Sequence, residues 1–182
     1  MNIEILSTAI AGPIIGTAIE APVYVQTMNI QILPAIVAGL IAGTVMEGPV
    51  YMQKALGLPV KQNIFRTWGQ NLLKVPGAAG YVAGFMFHSL IAIIAGVLYA
   101  LFFHLLGVQD NFWFWGLVGG LIHYLIAGPI VAIIPSLDPE TGAIGRQGFA
   151  YKNYGPLDVV TSFMGHLIFG LVTGIIYGAF VS

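Results

Sequence analysis

Five apolar runs, each about as long as the roughly 20 residues a helix needs to cross the hydrocarbon core of a bilayer, make up most of this chain. They are Ile3–Tyr24, Ile32–Gln53, Ala79–Leu106, Trp113–Ile134 and Val159–Val181. With 58% of residues hydrophobic and 7% charged, too little polar surface is left for a water-soluble fold. The expected fold class is all-α: one integral membrane domain over residues 1–182 with five transmembrane helices. The first run has no basic residue before it and is as long as the others, so it reads as a retained helix rather than a secretory signal. The chain has no Cys, which excludes disulfides, thiolate metal sites and a CxxCH haem attachment.

All basic residues fall in two loops. Lys54, Lys61, Arg66 and Lys74 lie between the second and third runs, and Arg146 and Lys152 between the fourth and fifth. With five alternating spans these loops share a side, and the positive-inside rule makes that side cytoplasmic. The expected topology is multi-pass, with the N-terminus in the cytoplasm and the C-terminus outside.

The first basic loop has its own pattern. Val60, Ile64, Trp68 and Leu72 recur every fourth residue, which predicts an amphipathic helix over about 59–75, flat at the headgroups with Trp68 as anchor. The second loop, 135–156, is polar and rich in Gly and Pro, and carries Asp138, Glu140, Tyr151 and Tyr154. Its length suits either a cap over the bundle or a solvated connector.

The N-terminal third contains a repeat. Residues 5–26, ILSTAIAGPIIGTAIEAPVYVQ, align without a gap to residues 32–53, ILPAIVAGLIAGTVMEGPVYMQ, at an offset of 27. Gly12 matches Gly39, Gly16 matches Gly43, Glu20 matches Glu47 and Pro22 matches Pro49. A tandem copy of one spanning helix gives an antiparallel pair, as in the inverted repeats of transporters.

Spacing gives each helix a packing face. The rows are Gly39, Gly43, Glu47, Tyr51; Gly80, Gly84, His88, Ala92, Gly96, Ala100, His104; Gly119, His123, Ala127; and His166, Gly170, Gly174, Gly178. Small residues four apart let helix backbones approach in lipid. The ionisable groups in these rows therefore point at neighbouring helices, as their desolvation cost demands. From the rise of about 1.5 Å per residue, Glu47, His88 and His166 lie about 10–14 Å in from the basic-loop side, with His123 near the midplane. Glu20 and His104 belong to the other half and form a candidate second pair.

One carboxylate and three imidazoles in one layer suggest chemistry. Glu47, His88, His123 and His166 are candidate ligands for Fe, Cu or Zn, and His88, His123 and His166 for a haem b. Each buried His has an equally physical structural role, bonding a carbonyl across a helix interface. Glu20 and Glu47 each precede a proline by two residues, which frees a helical carbonyl beside a carboxyl and makes them candidates for a proton or ion pathway.

The stretch Gly165-His166-Leu167, followed by Phe169-Gly170, Gly174 and Tyr177-Gly178, resembles the closing helix of a diffuse group of small prokaryotic polytopic membrane proteins of unknown function. The resemblance implies only that His166 belongs to a recurring pattern. The chain lacks a P-loop, a dinucleotide fingerprint and a nucleophile elbow, and its few basic residues give no nucleic-acid surface. Three classes remain. The first expectation is a small subunit of a membrane redox or oxidase-type assembly with a buried His/Glu metal or haem site. The second is a proton, ion or small-solute transporter built on the Glu-containing helices, and the third a structural or assembly subunit. Each implies the lipid bilayer and either other membrane subunits or a homo-oligomer as partners.

Overall fold

The structure, a computed structural model, describes residues 2–5, 28–137 and 144–181. Among them, four helical segments are long and apolar enough to cross a membrane: Ile32–Ala55, Gly77–Leu105, Phe112–Ile133 and Pro156–Val181. These match four of the five predicted runs to within a few residues. The body of the first run lies outside the described residues, and with it Glu20, the first repeat copy and the Glu20–His104 pair. Asn2–Ile5 form strand β1, antiparallel to β2 (Met28–Gln31), with Asn2 opposite Gln31 and Ile5 opposite Met28. β2 leads directly into the first described helix. Asn2–Ile5 therefore lie at the end of the bundle where that helix begins.

The first span is made of α1 (Ile32–Val45) and α2 (Gly48–Ala55), broken at Met46 and Glu47. The break falls where Pro49, which has no N–H, cannot bond the Val45 carbonyl. After α2 come α3 (Ile64–Arg66), α4 (Gly77–Leu105), α5 (Phe112–Ile133) and α6 (Pro156–Val181). Burial is inverted relative to a soluble bundle: Ala92, Gly96 and Ala100 of α4 are buried, while Leu90, Ile94 and Leu98 are 52–57% exposed. Small residues inside and large aliphatic ones outside is the arrangement expected when lipid is the solvent.

Glycine sets the helix distances. A Cβ on Gly39 of α1 would strike the Ala92 carbonyl of α4 and come within 2.9 Å of Gly96 Cα. α5 and α6 meet in the same way through Gly116 and Gly170, where a Cβ on Gly170 would lie 2.8 Å from the Gly120 nitrogen. The predicted rows on α1, α4 and α6 are thus packing faces. Toward the end where α5 begins, Phe103, Phe112 and Tyr177 interlock with ring centroids 5.4–6.0 Å apart. Edge-on and tilted aromatic packing of this kind fills the bundle at that end.

The two basic loops meet at the opposite end. Asp158, in the first turn of α6, accepts the backbone N–H groups of Lys61 and Gln62 at 2.9 and 2.8 Å. Gln147 Nε2 lies 3.5 Å from Thr67 Oγ1. Strands β3 (Pro135–Leu137) and β4 (Ile144–Arg146) pair as a hairpin ahead of a 3-10 turn at Phe149–Tyr151. Gln147, Ala150 and Tyr151 are all at most 3% exposed, so this part of the loop caps the bundle rather than running through solvent.

The predicted amphipathic helix takes another form. Asn63 Oδ1 accepts the Arg66 N–H and starts α3, which widens into a π-helix over Thr67–Leu72. Val60 and Trp68 of the predicted row are buried, but so are Thr67, Gly69 and Asn71, while Leu72 is 40% exposed, so burial does not follow the Val60, Ile64, Trp68, Leu72 row as a whole. Trp68 packs on Phe87 of α4 at 5.3 Å instead of anchoring at the surface. The cause is backbone contact: a Cβ on Gly69 would strike the Gly80 carbonyl and reach 2.8 Å from the Gly84 nitrogen. That approach turns the polar side of the segment inward.

Candidate functional site

Glu47 occupies the break between α1 and α2, so its side chain leaves the helix where the backbone ladder is interrupted. It is 8% exposed, as is His88 of α4, and its Oε1 lies 3.7 Å from His88 Nε2. The same nitrogen is 3.1 Å from the Gly43 carbonyl. A carbonyl oxygen only accepts, so Nε2 carries the proton and Nδ1 is the free nitrogen of the neutral ring. At 3.7 Å the Glu47 carboxyl is in electrostatic contact with this N–H but beyond hydrogen-bond distance of it.

A second pair lies across the cavity. His123 of α5 and His166 of α6 contact each other edge to face, with centroids 4.9 Å apart and planes at 90°. His166 Nδ1 donates to the Ser162 carbonyl at 2.7 Å, one turn back in its own helix. His123 Nδ1 is buried without a hydrogen-bond partner among the described residues. Phe169, 5.1 Å from the His123 ring, bounds the pair on the side of the aromatic end.

All four predicted residues line one cavity of about 90 Å³, together with Gln62, Tyr151, Thr161 and Ser162. Measured against the 10–15 Å³ or so that one water needs, it has room for several waters or a small polar solute. Tyr151 arrives from the capping loop. Burial first, and then the nearby Glu47 carboxylate, push its phenol well above the usual range, so it remains a proton donor. Thr161 donates to Gln53 Oε1 at 2.8 Å, and Lys54 Nζ donates to the Gln62 carbonyl at 2.6 Å, which fixes the wall toward the basic loops. His104 is half-buried in the last turn of α4, away from this cavity.

No three His, Asp or Glu side chains among the described residues converge closely enough to hold one ion. Glu47 faces His88, and His123 contacts His166. No family model, curated protein or solved structure matches this chain.

Sequence reasoning found the four ionisable residues and passed over their polar neighbours. Asp158, Ser162 and His166 form an i, i+4 row that continues the His166 face toward the basic loops, and that signal was available. Tyr151 carries no signal in the sequence beyond its place in a loop. Gln62 and Gln147 had no periodic signal, because both sit in irregular backbone.

Proposed function

We propose that this chain is a membrane transporter that moves protons, alone or with a small polar solute, through the cavity shared by Glu47, His88, His123 and His166. The observation that carries the reading is Glu47 Oε1 facing His88 Nε2 at 3.7 Å inside a membrane-spanning bundle, in the cavity that also holds the His123–His166 contact. Buried ionisable groups are costly in a bilayer and belong by default to ion or proton pathways. Glu47, the three imidazoles and Tyr151 all exchange protons, and the cavity is large enough for waters to link them. The aromatic cluster closes the far end, which suits alternating access to the site. A chain this small works as an oligomer in this reading, with the basic loops in the cytoplasm and Val181 outside.

Proteoliposomes containing a pH-sensitive dye and a potassium gradient clamped with valinomycin test this. The wild-type chain dissipates an imposed proton gradient faster than empty vesicles, and Glu47→Gln reduces that rate at least tenfold while keeping the fold. A wild-type rate equal to that of empty vesicles, or an unchanged rate in Glu47→Gln, rejects the proposal. The redox reading, with haem b or Fe, Cu or Zn at the same residues, draws on their sharing one cavity. An absorption spectrum with metal analysis on protein from its native membrane tests that reading, and a stoichiometric cofactor there would replace the transport proposal.

A further inference from the structure

The cavity of Glu47 and the three histidines has one carboxylate in its wall and no Lys or Arg. The Glu47 side chain is nine-tenths buried, and its carboxyl accepts no hydrogen bond from any described residue. His88 Nε2, 3.7 Å away, donates to the Gly43 carbonyl instead. Lys54, two turns further along, gives its ammonium group to the Gln62 carbonyl at 2.6 Å. Trp68 Nε1 and His123 Nδ1 also lack partners among the described residues but have no accessible surface, whereas the Glu47 oxygens open into the cavity. A buried carboxyl without a hydrogen bond is rare, because its lost hydration goes uncompensated.

The backbone beside Glu47 supplies a second acceptor. At the break between α1 and α2 the Glu47 N–H bonds the Thr44 carbonyl, and the helical ladder resumes where the Tyr51 N–H bonds the Glu47 carbonyl at 3.3 Å. The Met46 carbonyl between them receives no backbone N–H among the described residues. It lies against Gly165 of α6, where a Cβ would come within 3.1 Å of it. Met46, Ser162 and Gly165 line the same cavity as Glu47. His166 Nδ1 donates to the Ser162 carbonyl, so Nε2 of the neutral ring is an acceptor. Gln62 Nε2 and Thr161 Oγ1 give hydrogens to Asp158 and Gln53. Acceptors therefore predominate among the polar atoms a ligand meets here.

Water brings lone pairs as well as hydrogens, and these walls offer its lone pairs few donors. An ammonium group brings hydrogens alone, with a charge that matches the carboxylate. Hard metal cations take about six or more oxygens, which this wall does not supply. Trp68 and Phe169 add aromatic surface, which attracts organic cations. A volume of about 90 Å³ admits ammonium or methylammonium.

We infer that the solute of this cavity is a small protonated amine of the ammonium or methylammonium class, held by the Glu47 carboxylate and the Met46 carbonyl, with His166 Nε2 and the Ser162 hydroxyl as further acceptors. The inference names the solute of the transport reading and rests on that reading for what binding achieves. Binding itself is measured without flux, so the two fail separately.

Radiolabelled methylammonium is titrated into the full-length protein in lipid nanodiscs and followed by a scintillation proximity assay at neutral pH. Saturable binding is expected, displaced by ammonium chloride and not by equal concentrations of sodium, potassium or tetramethylammonium chloride. Tetramethylammonium carries the same charge with no N–H. Glu47→Gln weakens binding at least tenfold, and Ser162→Ala about fivefold, the loss of one ordinary hydrogen bond. Ser162→Ala lies away from the helix break and keeps the test open should Glu47→Gln fail to fold. The absence of saturable binding overturns the inference, as does wild-type affinity in both variants. Displacement by sodium, potassium or tetramethylammonium overturns it too. Binding without proton flux upholds this site and rejects the transport reading, and flux without binding does the reverse.

Discussion

Gln62 and Asp158, 96 residues apart in sequence, bond twice: the Gln62 backbone N–H donates to Asp158 Oδ1 at 2.8 Å, and Gln62 Nε2 donates to the Asp158 carbonyl at 3.1 Å. A carboxylate buried to 1% exposure thereby holds the irregular segment before α3 against the start of α6. Gln62 lines the cavity of Glu47 and the three histidines, so this contact forms part of its wall.

Asp158→Ala removes the acceptor from two backbone N–H groups at once. Hydrogen bonds to a charged group contribute about 1.5–3 kcal/mol, so a loss of that order is expected in reversible unfolding in mixed micelles. Asp158→Asn retains one acceptor oxygen and loses less. Amide exchange at Lys61 and Gln62 accelerates strongly in the alanine variant, and unchanged protection there would show that the contact does not hold the segment.

Gly39→Ala places a methyl against the Ala92 carbonyl and Gly96 in a helix contact with no spare space. Overpacking of this sort costs about 1–3 kcal/mol. Gly48→Ala is the matched control, since a Cβ there meets nothing within 4 Å. Equal thermal stability of the two variants in detergent would contradict the close α1–α4 approach.

Tyr151 gives a pH prediction with a definite sign. Its phenol titrates near 10.0 when unfolded and well above that in the fold, where burial disfavours the phenolate. Above about pH 10 the unfolded chain releases this proton and the folded one keeps it, so stability is level below that pH and falls above it. In Tyr151→Phe the alkaline fall is reduced. Stability is followed by unfolding at a series of pH values, with phenolate absorbance at 295 nm reporting the titration. Identical alkaline profiles for the two proteins would place Tyr151 in water.

The natural chain has no cysteine, so single cysteines report topology without background. Lys152→Cys, in a basic loop, and Asp110→Cys, in the turn between α4 and α5, lie at opposite ends of the bundle. In intact cells an impermeant maleimide labels Asp110→Cys and spares Lys152→Cys until the membrane is opened. The reverse pattern would invert the orientation given by the positive-inside rule.

Much of the fold was legible because lipid imposes simple rules. The runs of α1 with α2, α4, α5 and α6 declared themselves by length, and the rows through Gly39 and Gly43, through Gly80 to Ala100 and through Gly170 to Gly178 named the buried faces. The gathering of Glu47, His88, His123 and His166 followed from depth and face. Trp68 was misplaced because a four-residue apolar period describes a regular helix at a polar surface. A π-turn drawn in by Gly69, Gly80 and Gly84 obeys neither condition.

By itself the sequence determined which four of the described segments are long and apolar enough to cross a membrane and which side of each is packed, because hydropathy and the 3.6-residue period are properties of one helix at a time. Only the tertiary structure decided that Glu47 pairs with His88 and His123 with His166, and that Tyr151 and Gln62 complete the cavity. Those outcomes depend on how helices rotate and tilt against their neighbours. They depend equally on backbone hydrogen bonds in irregular loops, whose donors are the same for almost every residue type.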